Sequence, residues 1–527
     1  MLVTITTSIS TTFNAFDQLS WLGTTFSIGS SISQPLSGHL TDVFGRRAGL
    51  VTCYLVFAIG TLLCGLSATA GRLWVFYAGR ILQGLGGGAL CSITSFIESD
   101  LVPLRKRALI EGVGNVAYGA TLALGGIYGG GIDSAIGWRW AFLVQVPVIA
   151  LDAALVVFVV PVVNSSSPPG SDAESRWARV DYIGCVLILA ALVLFQYGMN
   201  EGSTSGAWAT PRVIAMLVVS GVCFVAFSYW DLCRAANPLI PIRRLAERTI
   251  ASSQVSFFFN SASSAATMLY LPIFLQACQG LTVQDSGLRF VPHAVAFGLG
   301  SFAAGLAVKQ LNRYWGVNLG VQAACVAGTA GLCAMTASPE TVKAGWPPYV
   351  CFVLLGLGYG GAFVTRLVGL LSATDQADQA VIQAASWTIS STGFTVGIAV
   401  AAAVFQSLSV DQVTTRLGRD SPGESEKLAD ALRHGAFEVF FNSTSDSGED
   451  GDEGRALRRD IVGIYTLAVR SVFFLALATI VLSALASLGM RDNTLEPPAS
   501  TGENGSEDGG SEKGKPGVFG EEKPLEG

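Results

Sequence analysis

Residues 38–47 read Gly38-His39-Leu40-Thr41-Asp42-Val43-Phe44-Gly45-Arg46-Arg47. They form a short polar turn between two long apolar runs, near 20–40 and 48–69. Gly45 suits a tight turn and Gly38 a close helix approach. Asp42 is expected beside a helix N-terminus, where the dipole favours a carboxylate. Arg46 and Arg47 are expected to snorkel toward lipid headgroups or to pair with acids.

Outward from that turn, apolar runs recur along the chain. A helix that crosses a bilayer needs about 20 mostly apolar residues. Thirteen runs meet this, near 20–40, 48–69, 73–98, 109–132, 140–163, 181–200, 211–233, 250–275, 288–309, 316–336, 347–368, 381–408 and 462–489. The fragment 1–10 is too short to cross and lacks the basic start of a signal peptide. The 527 residues are 50% hydrophobic and only 13% charged, about half the charge of an ordinary soluble chain. This composition excludes a typical cytosolic enzyme. It implies an all-α polytopic membrane protein.

Lysine and arginine in short loops set the orientation. Alternate loops carry fourteen: Arg46, Arg47, Arg105, Lys106, Arg107, Arg176, Arg179, Arg234, Arg243, Arg244, Arg248, Lys309, Arg313 and Arg366. The intervening short loops carry five, Arg72, Arg139, Arg212, Arg289 and Lys343. The first set is therefore expected to face the cytosol. The net charge is −6, and the acid excess sits in residues 411–460 (12 acids, 7 bases) and 491–527 (9 acids, 4 bases). No clustered basic face suggests a nucleic-acid partner.

Ten cysteines lie singly and there are three histidines, so neither a disulfide framework nor a metal site is expected. Gly356, Gly358 and Gly361 match G-x-G-x-x-G, as Gly84, Gly86 and Ala89 match G-x-G-x-x-A. Both lie inside apolar runs with no strand before them, so they read as helix-packing glycines rather than a dinucleotide site. A phosphate-binding G-x-x-x-x-G-K-[ST] loop is absent from the sequence. No enzymatic constellation is expected. Three N-x-S/T sequons occur, at Asn164, Asn442 and Asn504. In this orientation only Asn442 faces a lumen or the exterior, as a candidate glycosylation site.

The chain also repeats itself. Gly305-Leu306-Ala307-Val308-Lys309-Gln310-Leu311-Asn312-Arg313 follows a later run as 38–46 follows the first. Glycine opens both stretches and arginine stands eight residues later. Aspartate becomes lysine and Gly45 becomes Asn312. Two such loops on one side suggest parallel repeats about an axis normal to the membrane.

Several residues stand out by depth. Arg80 lies inside an apolar run, where a cation normally faces a cavity or a partner, and Gln83 follows one helical turn later. Asp152 lies mid-run, where a carboxyl could carry a proton or attract a cationic solute; a structural or lipid-facing acid is the other reading. Asn115, Tyr118 and Gln145 either line a cavity or hydrogen-bond between helices. Glu98, Asp100 and Glu111 sit near span ends and read as interfacial. His293 is a lesser candidate for a proton relay, and Arg470 is expected to snorkel or pair.

Gly38-x-Leu40-x-Asp42-x-x-Gly45-Arg46-Arg47 resembles the signature loop of the major facilitator superfamily, between its helices 2 and 3. Arg80-Ile81-Leu82-Gln83-Gly84-x-Gly86 resembles the helix 4 signature. Gly125-Gly126-Ile127-Tyr128-Gly129-Gly130 resembles the helix 5 signature associated with antiporters. The stretches Asp181-Tyr182-Ile183-Gly184 and Tyr270-Leu271-Pro272-Ile273-Phe274-Leu275-Gln276 are similar to the fourteen-helix drug:proton antiporter branch. Within that branch, residues 100–107, 114–119 and 138–147 resemble fungal vacuolar basic amino-acid transporters.

The resemblance implies two six-helix bundles plus two extra central helices. By residue number it implies an N-terminal bundle over 1–163, a linker over 164–180 and extra helices over 181–233. A C-terminal bundle over 234–490 would carry an extracytoplasmic loop at 409–460, and a disordered acidic tail would follow over 491–527. Gly38, Asp42, Gly45, Arg46 and Arg47 would form a conformational gate. Arg80, Gln83, Asp152, Asn115, Tyr118 and Gln145 are the proton or substrate candidates, and Gly84, Gly125, Gly126, Gly129 and Gly130 pack helices. The implied activity is proton-coupled export of small organic solutes, of basic amino acids into the vacuole or of drugs across the plasma membrane. It needs no cofactor beyond a proton gradient, and its partners are the solute and the bilayer, with a monomer expected. A membrane sensor on the same scaffold is the alternative of another class. Two departures stand out. Gly126 replaces the proline usual in the helix 5 pattern, and residues 2–10 match only the far end of the family's helix 1, without its acidic residue. The latter raises a misassigned start or a defective product as an expectation.

Overall fold

A computed structural model describes residues 5, 8, 9, 12, 13, 19–160, 181–205, 208–234, 239–281, 283–337, 347–375, 378–416 and 452–492. Their regular structure is all helical, with no strand among them. In chain order the helices are α1 (Leu19–Phe44), α2 (Arg46–Ala70), α3 (Leu73–Leu101), α4 (Leu104–Ile136), α5 (Trp138–Leu143), α6 (Gln145–Val159), α7 (Tyr182–Ser205), α8 (Pro211–Cys233), the short α9 (Ile242–Leu245) and α10 (Arg248–Ile273). After α10 comes a π-turn, Phe274–Cys278, then α11 (Val283–Leu311), α12 (Trp315–Ala337), α13 (Pro347–Ser372), α14 (Gln379–Arg416) and α15 (Asp452–Ser487).

Each of the thirteen runs coincides with a helix, α5 and α6 together forming one. Ten helices are long and apolar enough to cross a membrane by length and composition. The other three, α1, α3 and α4, have 26, 29 and 33 residues. Their serine, glycine and arginine content lowers their hydropathy but serves packing. Leu55, Ile59, Leu62 and Leu66 make an exposed apolar stripe on α2, as Val218, Val222, Val225 and Tyr229 do on α8. Such one-sided apolar exposure at helical spacing fits lipid as the solvent.

Loop chemistry sets the helix ends. Gly45 takes φ +94° between α1 and α2, Gly71 closes α2 in the left-handed region at φ +62°, and Gly137 separates α4 from α5 at φ +92°. Pro211 opens α8 at its first position, where its missing N–H is not needed.

One half is built from α1–α6. There α3 packs against α1 and α2, and α2 carries α5 and α6. The other half is built from α10–α15. There α11 and α12 flank α13, and α10 packs on α14 and α15. The halves meet where α4 crosses α11 and α1 crosses α14, with lesser contacts of α3 on α14 and α4 on α13. Helices α7 and α8 pair with each other, and α7 also touches α1 and α14. It does so through hydrogen bonds: Thr24 donates to Asn200 Oδ1 at 2.7 Å, and Gln406 donates to the Ser203 carbonyl at 3.0 Å.

Three expectations change here. The stretch 409–460 is not all loop: α14 runs on to Arg416, and α15 begins at Asp452. Val413 is buried, so the apolar stripe of α14 continues past 408. Arg366 is no loop residue: it lies inside α13, only 1% exposed. Asp42 belongs to the last turn of α1, a helix C-terminus. The linker 164–180, the sequons Asn164, Asn442 and Asn504, and the tail beyond 492 lie outside the described residues. At the chain's start, Ile5 and Ile9 are helical and buried against Leu22, Cys64, Phe76 and Trp138.

Candidate functional site

The basic-loop face carries the densest set of contacts between the halves. Gly38 on α1 faces α14, where an added Cβ would meet Ala384 Cβ at 3.1 Å and the Ala380 carbonyl at 3.3 Å. Gly305 on α11 faces α4, with the Ala108 carbonyl 2.2 Å from such a Cβ. Deeper along the same crossing, Gly112 faces Ser301 and Phe302, and Gly119 faces Ala294. Only small residues let helix backbones come this near. The described crossings thus seal the basic-loop half of the seam.

A polar latch sits on that seal. Ser99 Oγ of α3 donates to Gln379 Oε1 of α14 at 3.0 Å and accepts from Gln383 Nε2 at 2.9 Å. Ser95 Oγ lies 3.0 Å from Gln383 Oε1. Arg107, at the start of α4, is only 3% exposed. It donates to the Ser99 carbonyl, and to Gln379 Oε1 at 3.3 Å. Serines four apart on α3 thus meet glutamines four apart on α14, which is the spacing of one helix face. Of these five only Arg107 was named from the sequence, as a loop cation; for the other four the two matched i,i+4 polar pairs on apolar helices were the available signal.

Around the signature loop, Arg46 is buried rather than snorkelling. Its Nε binds Asp100 Oδ2 at 3.0 Å, its Nη1 donates to Thr41 Oγ1 at 2.7 Å, and its guanidinium lies over the Phe96 ring at 5.3 Å. One side chain thereby ties the ends of α1, α2 and α3. Asp100, read as interfacial, is its partner. Arg47 donates instead to the Val157 carbonyl at the end of α6. The Asp42 side chain lies outside the described residues. On the outer side of the latch, Arg244 pairs with Glu247 at 3.1 Å, Asp375 at 3.0 Å and Asp378 at 3.4 Å. Those acids hold its proton above the usual arginine range.

Arg80 and Gln83 come together as expected from their spacing. Arg80 Nη1 donates to Gln83 Oε1 at 2.8 Å, and Gln83 Nε2 donates to Thr61 Oγ1 at 2.8 Å. Arg80 Nε reaches the Leu22 carbonyl at 3.1 Å, and its guanidinium lies 4.7 Å from the Phe26 ring. Gly84 brings α3 against Phe26, Gly29 and Ser30 of α1.

The remaining candidates do not join this group. Asp152 is half-buried on α6, which packs on α2. Depth along a helix does not choose its face, and this face is peripheral. Gln145 turns back to the Ala141 carbonyl at 2.6 Å. Asn115 and Tyr118 lie at the α4–α11 crossing, Tyr118 with its ring 5.8 Å from that of Phe297. Of the helix 5 glycines, Gly130 faces open space, Gly129 is buried and Gly125 half-buried, and Gly126 lies outside the described set. The crossing is carried by Gly112 and Gly119 instead. Among the described residues no group of three or more metal-ligating side chains exists.

Two halves thus meet across glycines, with a basic signature loop at one end. The Major Facilitator Superfamily profile matches residues 1–402. The chain belongs to that superfamily. The vacuolar membrane amino acid uptake transporter fnx2 of Schizosaccharomyces pombe is 31% identical over 402 residues, 76% of this chain and 68% of that protein. The multidrug resistance protein fnx1 of the same yeast is 29% identical over 427 residues, 80% of this chain and 78% of that protein. Among solved structures, the proton:xylose symporter XylE superposes with a TM-score of 0.52 at 14% identity, over 92% of this chain and 90% of that one. That likeness concerns the fold alone. This major facilitator is a multi-pass integral membrane transporter.

Proposed function

We propose that this major facilitator exports small organic solutes from the cytosol in exchange for protons, and that its solutes are amino acids moved into the vacuole. The observation that carries the reading is the seam, which the described residues close on the basic-loop side with glycine crossings and a Ser–Gln latch. Rocking the halves about such a seam exposes a central site to each side in turn. Arg80 supports the solute class, because a fixed guanidinium suits the α-carboxylate common to amino acids. The likeness to fnx2 points the same way. The basic loops, facing the cytosol by the charge rule, set the direction. The solute crosses unaltered, so no catalytic residue is required.

The second reading is efflux of drugs at the plasma membrane, favoured by the likeness to fnx1. The test is uptake of radiolabelled amino acids by vesicles containing the full chain, with an acid interior imposed. The expected result is accumulation that a protonophore abolishes. Flux of hydrophobic dyes without amino-acid flux would select the second reading. Amino-acid flux indifferent to the proton gradient would overturn proton exchange.

A further inference from the structure

Two acids stand directly behind the latch. Glu98 of α3 and Glu111 of α4 stand within hydrogen-bonding reach of each other. Ser95 Oγ lies 3.2 Å from Glu111 Oε1 and 3.0 Å from Gln383 Oε1, so it is shared between this pair and the other half. Arg107 interacts with both acids while its Nη atoms hold Ser99 and Gln379. Two buried atoms at the site have no hydrogen-bond partner, Glu98 Oε2 and Arg107 Nε. The latch is therefore fully made across the halves, yet unsatisfied where the acids lie.

Among the described residues, the other groups around the pair supply no second neutralising charge. On α3, Asp100 is engaged by Arg46. On α4, Lys106 is exposed. From α14 come neutral Gln379 and Gln383, while Asp378 is held by Arg244. From α11, Ser301, Phe302 and Gly305 lie against α4, and Lys309 follows one helical turn later. Two buried carboxyl groups within reach of each other favour holding one proton between them, since adjacent carboxylates repel.

We propose that Glu98 and Glu111 are the proton-binding element of this transporter, sharing one proton while the latch is closed and releasing it toward the basic loops as the latch opens. This rests on the proton-exchange reading above. The proton leaves one carboxyl oxygen for water, and the pair passes from one negative charge to two. The second carboxylate draws Arg107 away from Gln379 and the Ser99 carbonyl and turns Ser95 away from Gln383. The inter-half contacts made by α3 and α4 then weaken together.

The experiment uses the full chain in lipid nanodiscs. Spin-labelled noncanonical residues at Lys106 and Leu311, exposed positions on opposite halves, leave the native cysteines untouched. In the wild type the Lys106–Leu311 separation should lengthen as pH rises. Infrared titration should show the loss of a protonated carboxylic-acid band over the same range. Glu111→Gln keeps a donor to Glu98 without a titrating proton, so it should hold the short distance at every pH and lack the band. Glu111→Asp retains the acid at a shorter reach and should move the midpoint.

A wild-type pH response preserved in both Glu98→Gln and Glu111→Gln would overturn the assignment. Vesicle flux separates the two readings. Proton-driven uptake unchanged by Glu111→Gln sinks this assignment alone. Uptake indifferent to the gradient, with a separation that still follows pH through Glu111, sinks proton exchange and leaves the pair as a proton-binding latch.

Discussion

Gly45 and Asn312 occupy the same turn in the two halves, with φ of 94° and 55°. Among the described residues Asn312 is the only non-glycine with positive φ. Each is preceded, seven residues earlier, by a glycine pressed against the opposite half, Gly38 or Gly305. Each is followed by an arginine that pairs with an acid, Arg46 with Asp100 at 3.0 Å and Arg313 with Asp492 at 3.3 Å. A positive φ at this turn is therefore common to both halves, although the residues differ. The two gates are unequal, however: the Arg46 side chain is 10% exposed and that of Arg313 is 65% exposed.

That inequality predicts which turn tolerates change. Gly45 has φ +94° with ψ 145°, a region open essentially to glycine alone. Nothing lies within 4 Å of its Cβ position, so the constraint is torsional rather than steric. Gly45→Ala should cost about 1–3 kcal/mol and lower the melting temperature in detergent. Asn312→Gly should be within about 0.5 kcal/mol of neutral. Equal tolerance at both sites would refute the argument.

The glycine crossings predict a graded series. An added methyl at Gly305 would sit 2.2 Å from the Ala108 carbonyl, whereas at Gly38 the nearest atom is a side-chain Cβ at 3.1 Å. Gly305→Ala should therefore push the halves apart more than Gly38→Ala. Overpacking costs about 1–3 kcal/mol, which shifts a two-state equilibrium about 5- to 150-fold. The measurement is the inter-half distance on the basic-loop side, with Gly114→Ala, which meets nothing within 4 Å, as the silent control.

How much of this could be read from the sequence depends on how local the cause is. Apolar runs gave the helices because lipid demands them over the whole length of a span. The paired turns were legible because glycine, arginine and spacing survive in both copies. The latch was not legible: Ser99 and Gln379 are 280 residues apart, and neither is unusual in its own segment. Asp152 was chosen for depth, but only packing decides that it faces α2. Arg366 looked like a loop cation because it stands near the end of an apolar run. The serines that hold it come from α10 and α15, far away in the chain.

The buried gate arginine should behave as a coupled unit. Arg46 reaches Asp100 and Thr41 and covers Phe96, a planar combination that a lysine ammonium cannot reproduce. Arg46→Lys should therefore impair transport nearly as much as Arg46→Ala. The Arg46→Ala/Asp100→Asn double mutant should be less impaired than the single effects sum to, with a coupling of about 0.5–3 kcal/mol. Strict additivity in transport rate would show that the pair does not act as one device.

Arg366 offers the sharpest stability test. It is 1% exposed, its Nη1 bonds the Ser256 carbonyl at 3.1 Å, its guanidinium lies 4.9 Å from the Phe257 ring, and its Nε has no partner. Among the described residues no acid forms an ion pair with it. A buried cation without a counter-charge carries its desolvation cost largely uncompensated, and well-packed apolar replacement of buried charges is often stabilising by about 1–4 kcal/mol. Methionine can follow the path of the arginine stem between α10, α13 and α15. Arg366→Met should therefore raise the detergent melting temperature, whereas Arg366→Ala should lower it by leaving a cavity. A melting temperature lowered by both substitutions would mean that the charge itself holds the C-terminal half together, through Ser256 and the Ser483 hydroxyl 3.4 Å from Nη1.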